Sequence, residues 1–351
     1  MFSNLRSLKG KLVNHFSHDD LDGYGATIIS RLSTGHFHEV HQCSYANFEQ
    51  ELLARVTKIE GMEDENLLGL AILVTDIAPK ESETLERLNA LHQRGLTVVL
   101  LDHHDTNKYI ADAYPDWAFI KKDLNGRDTC GTELCFEYLK EKELLTFIDN
   151  STSIDSFIAN VRDYDTWFWT KNGNLLAKDI NTVFFAMSPD VWTKNQMRKF
   201  SAHLEGQGEV EYGLNDIEQM IAGLENEKER RYVQSRAKNL SERIWEADGE
   251  TYKVGVVFGD QYHSTMGNDL HEQFPHLDFI AILDMNKGKG SLRTIHDHIH
   301  VGEISRAIRK GGGGHQKAAG FSFPIEEGLY GIESCFNSKN KFAISEFTIK
   351  P

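Results

Sequence analysis

"KLVNHFSHDDLDGYGATIISRLS", residues 11–33, decides how the rest of the chain reads. "KLVNHFS" reads as a strand and "YGATIISRLS" as the helix after it. Between them stand His18, Asp20 and Asp22. These alternate, so in an extended segment their side chains share one side. Gly23 allows an unusual backbone angle as the chain turns into the helix. The pattern recurs twice. "LLGLAILVTDI" (67–77) is a second apolar run and reaches Asp76. "LTVVLLDHH" (96–104) is a third and reaches Asp102, His103 and His104. "ESETLERLNALHQRG" (81–95) lies between them with helical spacing and a Gly stop. Buried runs alternating with helices predict a parallel α/β sheet. The polar residues then sit at carboxyl strand ends, where open α/β sheets bind ligands.

The bulk properties bound the rest. A chain of 351 residues suggests two domains. No apolar run approaches the roughly 20 residues that span a bilayer. The first residues lack the apolar core of a signal peptide. The expectation is a cytoplasmic protein without a membrane partner. Cys43, Cys130, Cys135 and Cys335 form no CxxC pair and are expected as reduced thiols. The net charge of −15 disfavours coating of long DNA or RNA. It leaves room for an enzyme that meets a short anion with local cations or bound metal.

Residues 115–200 read as mixed and mostly helical, and the charged stretch 213–246 as a long connecting helix. A second α/β pattern begins near "YKVGVVFG" (252–259). "FIAILDMNKGKGSLRTI" (279–295) predicts two strands around a turn, and "VGEISRAIRK" (301–310) a helix before "GGGGHQKAAGF".

Each polar residue has a plain structural reading. Asp20 alone reads as a helix N-cap, Asp76 as a cap for the helix after it, and Asp19 and Asp105 as turn residues. Three strand ends with the same chemistry argue for more than capping. Asp163 and Asp165, in "RDYDTW", add two more carboxylates. Carboxylates this dense repel one another unless something positive sits among them. Mixed carboxylate and imidazole donors suit Mn²⁺ or Mg²⁺. In the C-terminal block, glycines including Gly312, Gly313 and Gly314 let a backbone approach a phosphate. His315 and Lys317 add donors, and Arg293 can take a phosphate bidentately. The plain alternative is a helix C-cap and turn. The GK[ST] of a nucleotide-binding P-loop is missing. Trp167-Phe168-Trp169 reads as packing rather than as a base-stacking platform.

"SHDDLDG", "TDI", "LDHHDTN" and "RDYDTW", in this order, resemble the DHH phosphoesterase superfamily, most closely its nanoRNase (oligoribonuclease) type. "GSLRT…GGGGHQKAAGF" is similar to the companion DHHA1 module. The resemblance implies an α/β fold. An N-terminal DHH domain (1–205), with a parallel sheet flanked by helices, would carry the metals. A helical linker (206–246) would lead to a smaller α/β DHHA1 domain (247–351) that binds substrate, with the active cleft between the two. It further implies two Mn²⁺ ions, with Mg²⁺ or Co²⁺ as alternatives. His18 and Asp20 would ligate one ion, Asp22 and His103 the other, and Asp76 would bridge. Asp163 would complete the second set, with Asp165 the competing choice. Asp102 would orient a His, and His104 would face the substrate phosphate. Arg293, Gly312–Gly314 and His315 would anchor the substrate. The implied activity is two-metal hydrolysis of short oligoribonucleotides to mononucleotides, by a monomer or homodimer. The alternatives are a cyclic or linear dinucleotide phosphodiesterase, a single-strand exonuclease, and a nucleotide-sensing module without catalysis. No G-x-S-x-G elbow occurs, in keeping with water as nucleophile.

Overall fold

The three apolar runs are the central strands of one sheet. In the computed structural model, which describes residues 1–33, 36–145, 152–204, 212–247, 249–309 and 312–325, they are β1 (Leu12–His18), β3 (Leu70–Thr75) and β4 (Thr97–Asp102). Around them run α1 (Leu21–Arg31), β2 (His36–Cys43), α2 (Phe48–Glu60), α3 (Asp64–Leu67), α4 (Ser82–Gln93), α5 (Lys108–Ala113) and β5 (Ala118–Ile120). All five strands are parallel, in the order β2-β1-β3-β4-β5.

Both faces of this sheet are covered, which is why its strands read as unbroken apolar runs. Ile72 and Val74 of β3 join Phe16, Val98 and Leu100 in one core. Their neighbours Ala71 and Leu73 join Val13, Val99 and Leu101 in the core on the other side. Each large aliphatic side chain so buried contributes about 1.5–3 kcal/mol. The chain passes from β1 to β2 on one side and then to β3 on the other. The order therefore reverses between β1 and β3, the crevice where doubly wound sheets take their ligands.

A two-residue ribbon, β6 (Asp123–Leu124) with β7 (Arg127–Asp128), leads into helices α6 (Gly131–Glu141), α7 (Thr152–Asp165), α8 (Trp169–Asn172), α9 (Leu175–Ala186) and α10 (Pro189–Leu204). The chain divides into two units, Met1–Glu225 and Asn226–Pro351, so the boundary falls within α11 (Asp216–Ala237).

The second unit holds a mixed sheet in the order β12-β13-β11-β10-β9-β8. Its strands are β8 (Ser241–Ala247), β9 (Glu250–Phe258), β10 (Phe279–Asp284), β11 (Lys289–Arg293), β12 (Gly313–Gly314) and β13 (Ala318–Ser322). Only β9 and β10 pair in parallel. Helices α12 (His263–Gln273) and α13 (Val301–Ile308) contribute Met266 and Leu270 to one core and Val301 and Ile304 to another. Residues 241–246, expected within a connecting helix, instead form β8. This edge strand exposes Glu242, Arg243 and Ile244, so it carries no alternating apolar signal. Among the described residues no helix is long and apolar enough to cross a membrane.

Candidate metal centre

Strand geometry brings the first cluster together. β1 ends at His18, and the chain turns at once into α1. The turn is so tight that a Cβ on Gly23 would lie 2.1 Å from the His18 carbonyl oxygen. Asp20 is the N-cap of α1, its Oδ1 accepting from the Gly23 N–H at 3.0 Å. Its other oxygen lies 2.8 Å from His18 Nδ1. The capping reading of Asp20 holds through one oxygen, and the other oxygen faces His18.

Asp22 sits two residues on, in the first turn of α1, and is buried. Its Oδ2 accepts the Gly131 N–H at 2.5 Å and its Oδ1 the Thr132 N–H at 2.8 Å. Two free donors at the start of α6 thus hold this carboxylate, helped by the positive end of the helix dipole. Gly131 is required there, since a Cβ would come within 2.6 Å of the Asp76 Cβ.

Asp76 follows β3 in the left-handed region, at φ 60°. An L-residue held there stores strain, which concentrates at functional sites. Its backbone N–H bonds the Leu101 carbonyl, fixing it against β4. Below it a buried polar chain ties the ligand-bearing segments together. His15 Nε2 meets Thr75 Oγ1 at 2.8 Å, and Thr75 Oγ1 meets Ser17 Oγ at 2.7 Å. Ser17 Oγ also bonds the Gly23 carbonyl.

Asp102 ends β4 fully buried. Its Oδ1 takes His104 Nδ1 at 2.7 Å and the His103 N–H at 2.9 Å, while Oδ2 takes Asn107 Nδ2 at 2.7 Å. The His103 ring points the other way. Its Nε2 lies 3.2 Å from Asp76, 3.4 Å from Asp165 and 3.8 Å from Asp22.

Three groups of side chains that could hold a metal ion result: His18, Asp20 and Asp76; Asp22, His103 and Asp165; and Asp76 with Asp102, His103 and His104. Asp163, the residue named from the fourth motif, lies outside them. "RDYDTW" begins on helix α7, where residues two apart face nearly opposite ways. Asp163 is taken up by Arg162, Asn172 and Asn174 at 3.1, 2.8 and 3.0 Å, and Asp165 turns to the cluster.

The donor set fits hard divalent cations. Asp76 Oδ2 and His103 Nε2 are buried and make no hydrogen bond of proper geometry, although both lie within ion-pair reach of their neighbours. Burial and the charges of Asp22, Asp20, Asp165 and Asp102 push the Asp76 carboxyl well above the usual range. Burial, with the Asp22 and Asp20 charges, also raises Asp165 to about 7. Burial opposes ionisation of Asp20, but the His18 hydrogen bond and charge outweigh it and hold Asp20 at about 2. Burial likewise opposes protonation of His104, yet the bond to Asp102 raises it to about 9. Cations among these carboxylates would offset the repulsion that raises both Asp76 and Asp165.

In the second unit, Arg293 ends β11 opposite Ala318, and Thr294 bonds the Lys317 carbonyl. Arg293 thus reaches the same sheet end as the turn carrying His315. Its guanidinium bonds the Leu292 carbonyl and Ser264 Oγ. Lys317 is held by Asp297 and the Ile295 carbonyl. A Cβ on Gly312 would lie 2.3 Å from the Ser305 carbonyl, and one on Gly314 2.6 Å from that of Ala318. Packing on α13 therefore accounts for Gly312, and the close strand pairing with β13 for Gly314; Gly313 is under no such constraint, and Gly311 lies outside the described residues. The aromatic run packs in part on itself, with Trp167 against Trp169 and Trp169 against Tyr164, while Phe168 is exposed.

Comparison with known proteins adds the family. The profile described as "DHH family, N-terminal domain" matches residues 13–161. The chain is 35% identical over 312 residues to oligoribonuclease NrnB of Bacillus subtilis, covering 89% of this chain and 73% of that protein. It is 26% identical over 353 residues to a 3′,5′-cyclic-nucleotide phosphodiesterase of Helicobacter pylori, covering 88% and 92%. Among solved structures, RecJ of Thermus thermophilus in complex with Mn²⁺ has a TM-score of 0.52 at 17% identity, over 93% of this chain and 51% of that one, a likeness of fold.

Proposed function

The chain belongs to the DHH family, and from that premise we propose that it is a metal-dependent phosphodiesterase that hydrolyses short oligoribonucleotides to mononucleotides. The observation that carries this reading is the sharing of Asp76 and His103 among three ligand groups at adjacent strand ends. Likeness to an oligoribonuclease over most of the chain supports the substrate class.

In this reading His18, Asp20 and Asp76 would hold one ion, and Asp22, His103 and Asp165 the other, with Asp76 close to both sets. Two divalent ions, when bound, supply water activation and neutralise charge developing on phosphorus. Mn²⁺ is the proposed ion. The protein's own part is placement. α6 fixes Asp22 through two N–H groups, and the strained turn at Asp76 aims its carboxylate. Asp102 holds the His104 ring through Nδ1, and His104 is the proposed donor for a substrate phosphate oxygen. Arg293, His315 and the glycine hairpin are the proposed substrate anchor. For Arg293 that means exchanging Leu292 and Ser264 for a phosphate.

The test offers purified protein with Mn²⁺ single-stranded RNA and DNA from two to about 24 nucleotides. The expected result is a kcat/KM that falls as length grows beyond about five nucleotides, because a chain of this net charge offers no extended basic track. Equal efficiency on the longest RNA would replace this reading with a general exonuclease. The second reading, cleavage of a cyclic nucleotide, is favoured by the likeness to the Helicobacter enzyme. Turnover of a 3′,5′-cyclic mononucleotide in the same assay, faster than of a dinucleotide, would select it.

A further inference from the structure

The described residues place one exposed aromatic ring directly on the candidate centre. Tyr45, in the turn after β2, is 53% exposed, yet its ring centroid lies 4.5 Å from that of His18. The Lys80 ammonium stands over the same ring, 5.2 Å from its centroid. Lys80 is itself firmly placed. Ile77 and Ala78 before it are buried, and its backbone N–H bonds Glu49 Oε2 at 3.2 Å. Among the described residues no carboxylate lies within ion-pair reach of its ammonium, although Asp20 and Asp76 flank His18 nearby. The cation is held by the face of a ring. That contact is worth about 0.5–1 kcal/mol at an exposed site and leaves the three N–H donors open.

We infer that Lys80, seated on Tyr45, binds a substrate phosphate other than the one being cleaved, and in a dinucleotide this is the 5′-terminal phosphate. The inference rests on the phosphodiesterase reading above and deepens it. The scissile phosphate belongs at the ligand groups. A second cation one ring beyond His18 meets the next anionic group along a short chain. An ion-paired lysine would first have to leave its carboxylate; one on a tyrosine face does not. Lys80 and Tyr45 are positioning residues for the substrate and take no part in the bond cleavage.

The experiment compares pApA with ApA, which lacks the 5′-terminal phosphate, in wild type, Lys80→Gln, Lys80→Arg, Tyr45→Phe and Tyr45→Leu. Wild type is expected to favour pApA in KM by about tenfold, the worth of one charge-assisted contact. Lys80→Gln should abolish that preference with kcat and ApA kinetics unchanged. Lys80→Arg and Tyr45→Phe should retain it, and Tyr45→Leu should lose part of it. The salt dependence of log kcat/KM for pApA should become shallower by about 0.7 in Lys80→Gln, as for one phosphate contact on a single strand. Calorimetric titration with Mn²⁺ should be identical for wild type and Lys80→Gln. An equal loss on both substrates, or an unchanged preference for pApA, overturns the inference while the enzyme reading stands. Wild-type inactivity on both dinucleotides overturns the two together.

Discussion

The carboxyl ends of β1, β3 and β4 and the β11–β13 end of the second sheet both gather polar side chains, but they leave them in different states. In the first unit, Asp76 and His103 keep buried atoms without a proper hydrogen bond. In the second, Arg293 and Lys317 are satisfied by carbonyls, Ser264 and Asp297. A group with no internal partner needs a ligand to be stable when charged. A group with one merely exchanges partners. Substitutions in the first region should therefore act on turnover and metal affinity, and those in the second on KM.

The largest expected effect is at Asp76. Asp76→Asn keeps the size and the backbone preference and removes the shared charge. Turnover at saturating Mn²⁺ should fall by about a thousandfold or more, in the range of lost electrostatic stabilisation, with an unchanged circular dichroism spectrum. A modest fall would break the contrast between the two regions. The next effect separates two neighbours. Asp165→Asn should weaken Mn²⁺ binding by about 10–100-fold. Asp163→Asn should leave metal affinity intact and lower unfolding stability by about 1–3 kcal/mol, since it weakens a buried charge-assisted bond with Arg162. Parallel calorimetric and denaturant titrations check the pair; the reverse pattern would restore Asp163 to the centre.

Arg293→Ala comes third, with KM for a dinucleotide up about tenfold and Mn²⁺ affinity unchanged. An equal drop in kcat would place Arg293 in the chemistry and erase the distinction. The smallest effect concerns His15, a first-unit group that is satisfied as those of the second are, by Ser30 and Thr75. Burial lowers its pKa to about 3 from 6.5. A depressed pKa in a histidine means that the unfolded chain takes up the proton first. Its share of stability is complete above pH 6.5 and lost as pH falls toward 3. Between pH 7 and 5.5 this amounts to about 1 kcal/mol. Asp76 and Asp165, with raised values, act in the opposite sense, so the quantity to measure is the difference in unfolding free energy between wild type and His15→Asn. A difference that does not change with pH would refute the assignment.

How much of this the sequence disclosed follows from burial. β1, β3 and β4 are covered on both faces and read as apolar runs; β2 and β8 are edge strands whose exposed or polar residues hide them. The strand-end candidate cluster was legible because strand periodicity puts His18 and Asp20 on one side. The choice between Asp163 and Asp165 was not, because it turns on whether that segment is helical or extended. Gly131, Thr132, Tyr45 and Lys80 gave no local signal. Their roles come from contacts between segments far apart in the chain, as between Asp22 and Gly131.

The left-handed turn at Asp76 has a further bearing, on which amino acids this position can accept. Glycine adopts φ 60° without strain, asparagine and aspartate tolerate it, and most other residues resist it. Of these three only aspartate carries the negative charge, and it is also the one that burial penalises most. Position 76 is therefore a place where robustness and activity select opposite residues. In metal-free protein Asp76→Gly should melt no lower than wild type, while Asp76→Ala, with a Cβ in the same backbone region, should melt below the glycine variant. A search for thermostable variants that scores folding alone would choose glycine here and discard the enzyme.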